Sequence, residues 1–148
     1  MGRQAKVAKG ATAEVRKLLY ATNFKPHAER ASSAAYFLER GHAAQLSVLH
    51  VVEDANEGSP EGNTILRDFL VSRMRKTMPA ACRNRCQPDF LIRFGEPGED
   101  ILKTATACGA NLIVLGLRPP EQLAGYLPSA VAYRIACQAS CPVLTLRR

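Results

Sequence analysis

Five short apolar runs of strand-forming residues divide this chain, and segments with helical apolar spacing lie between them. The runs cover residues 17–22, 45–53, 88–95, 111–117 and 142–147. The second, QLSVLHVVE, and the fourth, NLIVLGL, are nearly continuous in apolar residues, as expected of strands covered on both faces. After the first run, Pro26 opens a helix. Its inward face is Ala31, Ala34, Ala35 and Leu38, and Gly41 is its stop signal. A loop rich in Asn, Gly, Ser and Pro over 54–62 precedes a second helix traced by Ile65, Leu66, Phe69, Leu70 and Met74, which Pro79 ends. Gly-Glu-Pro-Gly opens a third helix near 99–108, where Glu99 and Asp100 suit the positive end of the helix dipole. A Pro- and Gly-bearing loop over 118–128 leads to a fourth helix over 129–138, with Val131 and Ile135 inward. Strict alternation of this kind predicts an α/β domain with a parallel sheet, right-handed crossovers and helices on both faces.

A length of 148 residues fits one domain with its own core, and the absence of Trp makes that core aliphatic. The formal net charge is +7, and much of the excess lies at the start: residues 1–17 hold Arg3, Lys6, Lys9, Arg16 and Lys17 against the single acid Glu14. Residues 1–16 therefore read as a basic solvated tail or linker, and 17–148 as the domain. No nucleic-acid partner is expected from that tail. Five cysteines, an odd number, with no apolar leader segment argue against a disulfide framework. No apolar run is long enough to span a membrane. The expectation is a cytoplasmic protein.

Several stretches, taken in order, resemble the universal stress protein family. They are Leu18-Leu19-Tyr20-Ala21-Thr22-Asn23-Phe24, Leu49-His50-Val51-Val52-Glu53, Gly95-Glu96-Pro97 before Ile101-Leu102, Leu112-Ile113-Val114-Leu115-Gly116, and Cys141-Pro142-Val143-Leu144. The resemblance spans residues 17–147. It implies a five-stranded parallel sheet in the order 3-2-1-4-5, a Rossmann-like fold of the adenine nucleotide α-hydrolase type. Strand order then reverses between the first and fourth strands, where such sheets take their ligands.

In ATP-binding members the turn after the first strand and the end of the second hold the adenosine. A Gly-x2-Gly-x9-Gly-Ser/Thr loop after the fourth strand cradles the phosphates. Carried onto this chain, the resemblance implies a ligand site at Ala21, Thr22, Asn23, Val51, Gly116, Arg118, Ser129 and Ala130. Gly116 matches the first glycine of the loop. Pro119 stands in the second glycine's place, and Pro128-Ser129 stands where Gly-Ser is wanted if the loop is one residue shorter. Asn23 replaces an aspartate. Proline has no N–H and a fixed φ, so Pro119, Pro120 and Pro128 take three potential donors from one loop. Arg118 can supply charge, and Ser129 can cap the helix that follows. Tight ATP binding is therefore disfavoured, and no cofactor is assigned.

The other candidates are weaker. Asn23 reads equally as a ribose contact and as an Asx turn before the first helix. His50 reads as a hydrogen-bonded, buried histidine. Cys82 and Cys86, beside Arg83 and Arg85, are the candidates for a reactive thiol. Their spacing, and that of Cys137 and Cys141, fits no metal site. No nucleotide or hydrolase motif with its own nucleophile occurs, so no catalytic residue is assigned. The expectation is a non-catalytic stress-response domain acting through dimerisation and partner or small-ligand binding. The alternative is an adenine-nucleotide-binding regulator or weak ATPase using the same crevice. The resemblance also implies pairing through the last strand, Val143 to Leu146, either in a homodimer or with a sister domain of a tandem protein.

Overall fold

The computed structural model describes residues 14–25, 28–53, 60–117 and 130–147. The elements run β1 (Lys17–Ala21), α1 (Ala28–His42), β2 (Gln45–Val52), α2 (Pro60–Lys76), a 3-10 turn (Ala80–Cys82), β3 (Asp89–Phe94), α3 (Pro97–Cys108), β4 (Leu112–Leu117), α4 (Ala130–Gln138) and β5 (Val143–Arg147). All strand pairs are parallel, in the order β3-β2-β1-β4-β5. The α/β expectation and its strand order are both met.

Successive strand residues point to opposite faces, so each strand feeds two cores. Leu18, Tyr20, Leu46, Val48, Ile92 and Val114 bury against α1 and α2, where Ala31, Ala35, Tyr36, Leu70 and Met74 meet them. Leu19, Leu49, Ile113 and Leu115 bury on the other face against Ile101 and Ala105 of α3 and Ala132 and Ile135 of α4. Three consecutive residues of β1 are thus fully enclosed, at 1%, 0% and 3% exposure. Among the described residues, no helix is long and apolar enough to cross a membrane.

The start of β1 is fastened by one side chain. Asn111 Oδ1 accepts from the N–H groups of Arg16 and Lys17 at 3.1 and 3.0 Å, and its Nδ2 donates to Glu14 O at 2.8 Å. Residues 14–16, which the sequence assigns to the tail, are drawn onto the domain by these bonds.

Two helix ends differ from the sequence reading. α1 does not stop at Gly41; it continues to His42, and Ala43 takes the left-handed conformation at φ 49°. The N–H of Ala44 donates back to Glu39 O at 3.1 Å, which is the Schellman closure in which glycine is the usual residue. α2 starts inside the segment read as loop. Pro60 serves as a first-turn proline, and Gly62 and Asn63 are helical despite their loop character. The outward face of α2 leaves Ile65 and Phe69 exposed, while Leu70 and Met74 carry its packing.

Ala43 pays a left-handed penalty that glycine avoids. Ala43→Gly is therefore expected to stabilise the protein by about 0.5–1 kcal/mol in urea unfolding. A destabilised variant would show that Ala43 is not held left-handed in solution.

Candidate functional site

Where β1 stops, β2 continues. β1 ends at Ala21, paired with Leu49, while β2 runs on to Val52. The chain leaves β1 and β4 toward opposite faces of the sheet, so a cleft opens at their carboxyl ends. Its volume is about 410 Å³. Ala21, Thr22, Asn23, Val51 and Gly116 all line it, five of the eight residues taken from the resemblance. Arg118 and Ser129 lie outside the described residues, as do Pro119, Pro120 and Pro128. Ala130 is the first residue of α4, whose next two residues, Val131 and Ala132, form part of the far wall.

The near wall is a tightly bonded loop. Thr22 N–H donates to Leu49 O at 2.9 Å, the last rung between β1 and β2. Thr22 Oγ1 accepts from Phe24 N–H at 3.1 Å, and Asn23 Oδ1 accepts from Lys25 N–H at 3.0 Å. Asn23 thus makes the Asx turn that was one of its two readings, and it faces the cleft as well. Phe24 sits at φ 60°, a conformation strained for a bulky residue. Two contacts of its ring hold it there: His50, tilted at 48° with 4.5 Å between ring centres, and the Arg73 guanidinium 4.3 Å from the ring centre.

His50 bonds Thr22 O through Nδ1 at 2.8 Å. A carbonyl only accepts, so Nδ1 carries the proton. Burial, with the nearby charge of Arg73, pushes the His50 pKa below its ordinary value, and only the bond to Thr22 and the charge of Glu53 oppose that shift. The ring is therefore neutral at pH 7. The sequence marked His50 as a bonded strand residue. It carried no sign that the partner would be the loop after β1.

The far wall is formed by α3 and α4. Glu96 caps α3, accepting from Gly98 N–H at 2.9 Å and Glu99 N–H at 2.7 Å. The same carboxylate takes Arg134 of α4 at 2.8 Å, so one residue joins the two helices beside the cleft. The sequence reading credited Glu99 and Asp100 at this helix end. The acid immediately before Pro97-Gly98 was the available signal for a cap. Pro97 and Ile101 complete this side, and Lys25 and Glu53 place one charge of each sign at the rim.

The thiol expectation fails. Cys82 and Cys86 are both buried. Burial, and then the charge of Glu39, push the Cys86 thiol up to about 11, the reverse of activation. Arg85 pairs with Glu39 at 3.1 Å and also donates to Cys82 Sγ at 3.6 Å, but its lowering effect on Cys86 is outweighed by burial and by Glu39. Among the described residues, no group of three His, Cys, Asp or Glu side chains is arranged to hold a metal ion.

A doubly wound parallel sheet with a cleft at the reversal of strand order defines a Rossmann-like α/β domain. The model of the universal stress protein family matches residues 14–147. A curated universal stress protein of Thermus aquaticus is 31% identical over 134 residues, covering 88% of this chain and 97% of the relative. The chain belongs to the universal stress protein family. The solved structure of UspA from Lactobacillus plantarum superposes with a TM-score of 0.68 at 22% identity, covering 92% of this chain and all of that one. A universal stress protein from Archaeoglobus fulgidus, solved in complex with dAMP, has a TM-score of 0.56 at 20% identity, covering 90% of this chain and 98% of its own.

The bonds to Gly98 and Glu99, reinforced by Arg134, hold the Glu96 carboxyl below the ordinary glutamate range. A depressed folded-state pKa stabilises above the unfolded value, and the contribution is lost as pH falls through the folded one. Glu96→Gln is expected to lower Tm at pH 7, with the gap to wild type closing on acidification below pH ~4. A gap that is the same at acidic and neutral pH would show that the carboxylate charge does not fasten this helix end.

Proposed function

We propose that this chain is a non-catalytic stress-response domain that holds an adenine nucleoside or nucleoside monophosphate in the β1–β4 cleft and pairs through β5. The carrying observation is the free backbone at the end of β2. Gln45 N–H bonds Arg16 O and Thr22 N–H bonds Leu49 O, so odd-numbered residues of β2 direct their backbone groups toward β1. Val51 continues that row after β1 has ended, and it lines the cleft. Its N–H and C=O offer a donor and an acceptor side by side, which suits the edge of a nucleobase. The dAMP complex of the Archaeoglobus relative supports the ligand class.

Two features favour one phosphate over three. The first turn of α4 lines the cleft, and a helix N-terminus attracts an anion. The three prolines of the preceding loop remove the donors that a longer phosphate chain would use. Among the described residues of the cleft, no nucleophile is paired with a base. His50 bonds the carbonyl of Thr22, and the Thr22 hydroxyl accepts from Phe24 N–H.

Each sheet edge has one outward carbonyl covered by an arginine, and on β5 Arg30 Nη1 lies 3.4 Å from Arg147 O. Gly95 N–H bonds Val52 O, so the backbone of Ile92 points away from β2, and Arg93 Nη1 covers its carbonyl at 3.2 Å. On β5, Ile113 N–H bonds Pro142 O, so Val143 and Thr145 direct their backbone groups outward. Val143, Leu144 and Leu146 remain only half-buried. This favours β5 as the edge that meets a second copy or a sister domain.

Thermal shift with adenosine, AMP and ATP tests the ligand. A ligand at 100 times its Kd stabilises by about 2.7 kcal/mol. AMP is expected to shift Tm clearly, ATP to shift it no more than AMP does, and no phosphate to be released. No shift with adenosine or AMP at millimolar concentration would sink the proposal, and sustained ATP hydrolysis would replace it with the ATPase reading. For the edge, Thr145→Pro removes an outward N–H without touching the β4–β5 ladder. It is expected to turn dimers into monomers in sedimentation, and an unchanged mass would exclude β5.

A further inference from the structure

The ladder between β1 and β2 stops one rung earlier than its own geometry allows. After Thr22 N–H on Leu49 O, the next rung of a parallel pair is Val51 N–H on Thr22 O. That bond is not formed. Thr22 O is taken by the His50 side chain at 2.8 Å. The backbone of His50 belongs to the β2–β3 side of the strand, where the residue pairs with Ile92. Its ring reaches across to the loop, and the Phe24 ring, itself under Arg73, packs against it. The carbonyl is thereby held off the line of the ladder.

We propose that His50 is a positioning residue that keeps this last rung open, so that Val51 N–H stays available to an acceptor on a planar heterocyclic ligand. The inference rests on the cleft reading above and adds the group that prepares the cleft. Without a competing donor, Thr22 O is the acceptor that the parallel ladder assigns to Val51 N–H. The strand pair would zip by one residue and close the recognition edge. The histidine thus uses one ring N–H to spare one backbone N–H. The donor must sit two bonds from Cβ, the position of Nδ1. Asparagine places its amide nitrogen at the same remove, whereas phenylalanine fills the space with no donor.

Amide hydrogen exchange of the ligand-free protein decides the point. In the wild type, the Val51 amide is expected to exchange far faster than the Leu49 amide. In His50→Phe it should slow by about tenfold or more, as a new hydrogen bond forms, and His50→Asn should restore fast exchange. Adenosine affinity should fall about tenfold in His50→Phe and recover in His50→Asn. A wild-type Val51 amide protected as strongly as that of Leu49 would overturn the proposal even if His50→Phe fails to fold. So would a folded His50→Phe with unchanged Val51 exchange, or a His50→Asn that behaves like the phenylalanine variant. A wild type that binds no adenosine would instead refute the cleft reading, while the exchange comparison, made without ligand, still decides the role of His50.

Discussion

The parallel sheet must be covered on both faces, and the rest of the molecule follows from meeting that requirement with one short chain. Right-handed crossovers carry α1 and α2 over one face as the chain moves outward from β1 to β3. To cover the second face, the chain returns to the other side of β1 and adds β4 and β5 under α3 and α4. The two cores are separate sets of residues joined only through the strands. The reversal this demands is what parts the connections at the ends of β1 and β4. The cleft is therefore a by-product of burying the sheet, which is why its position follows from strand order alone.

Inside that cleft, the polar groups of Thr22 and Asn23 hold the loop after β1. The hydroxyl of Thr22, the carboxamide oxygen of Asn23 and the N–H of Thr22 are all spent on holding the loop. Phe24 is strained, and it is kept so by stacking on His50 and by the Arg73 cation. Loop residues held this firmly form a wall of fixed shape, so a ligand meets little that must reorganise. The opposite wall is fixed in its own way, by Glu96 bridging the N-terminus of α3 to Arg134 of α4.

The fold was legible because periodicity is a local property. The all-apolar runs of β2 and β4 announced burial on both faces, and the inward alanines of α1 announced its packing side. Element ends were less legible where two residues compete for one role. Gly41 has the better chemistry for a helix stop, but the packing of α1 through Tyr36 carries the helix on to His42 and forces Ala43 into the left-handed turn. Pro60, Glu61 and Gly62 read as loop, yet the helix gains Leu66 and Leu70 against the core, and that packing outweighs weak propensity. The cysteines misled for a related reason. Arg85 lies next to Cys86 in sequence, but in space burial and Glu39, which pairs with Arg85, outweigh its charge at the thiol.

The site was legible in a different degree from the fold, and the difference lies in which atoms do the recognising. Ala21, Thr22, Asn23, Val51 and Gly116 could be named only because a family resemblance supplied their positions; nothing in their side chains announces a ligand. In the proposed site Val51 would contribute a peptide group, and any residue of similar bulk would contribute the same one. The side chain proposed to keep that peptide group unpaired is His50, and its role depends on its lying opposite Thr22, 28 residues away in sequence. Backbone recognition hides its signature in the register of the sheet. A sequence read without that register shows a histidine in a strand; with the register it shows why the strand pair stops where it does.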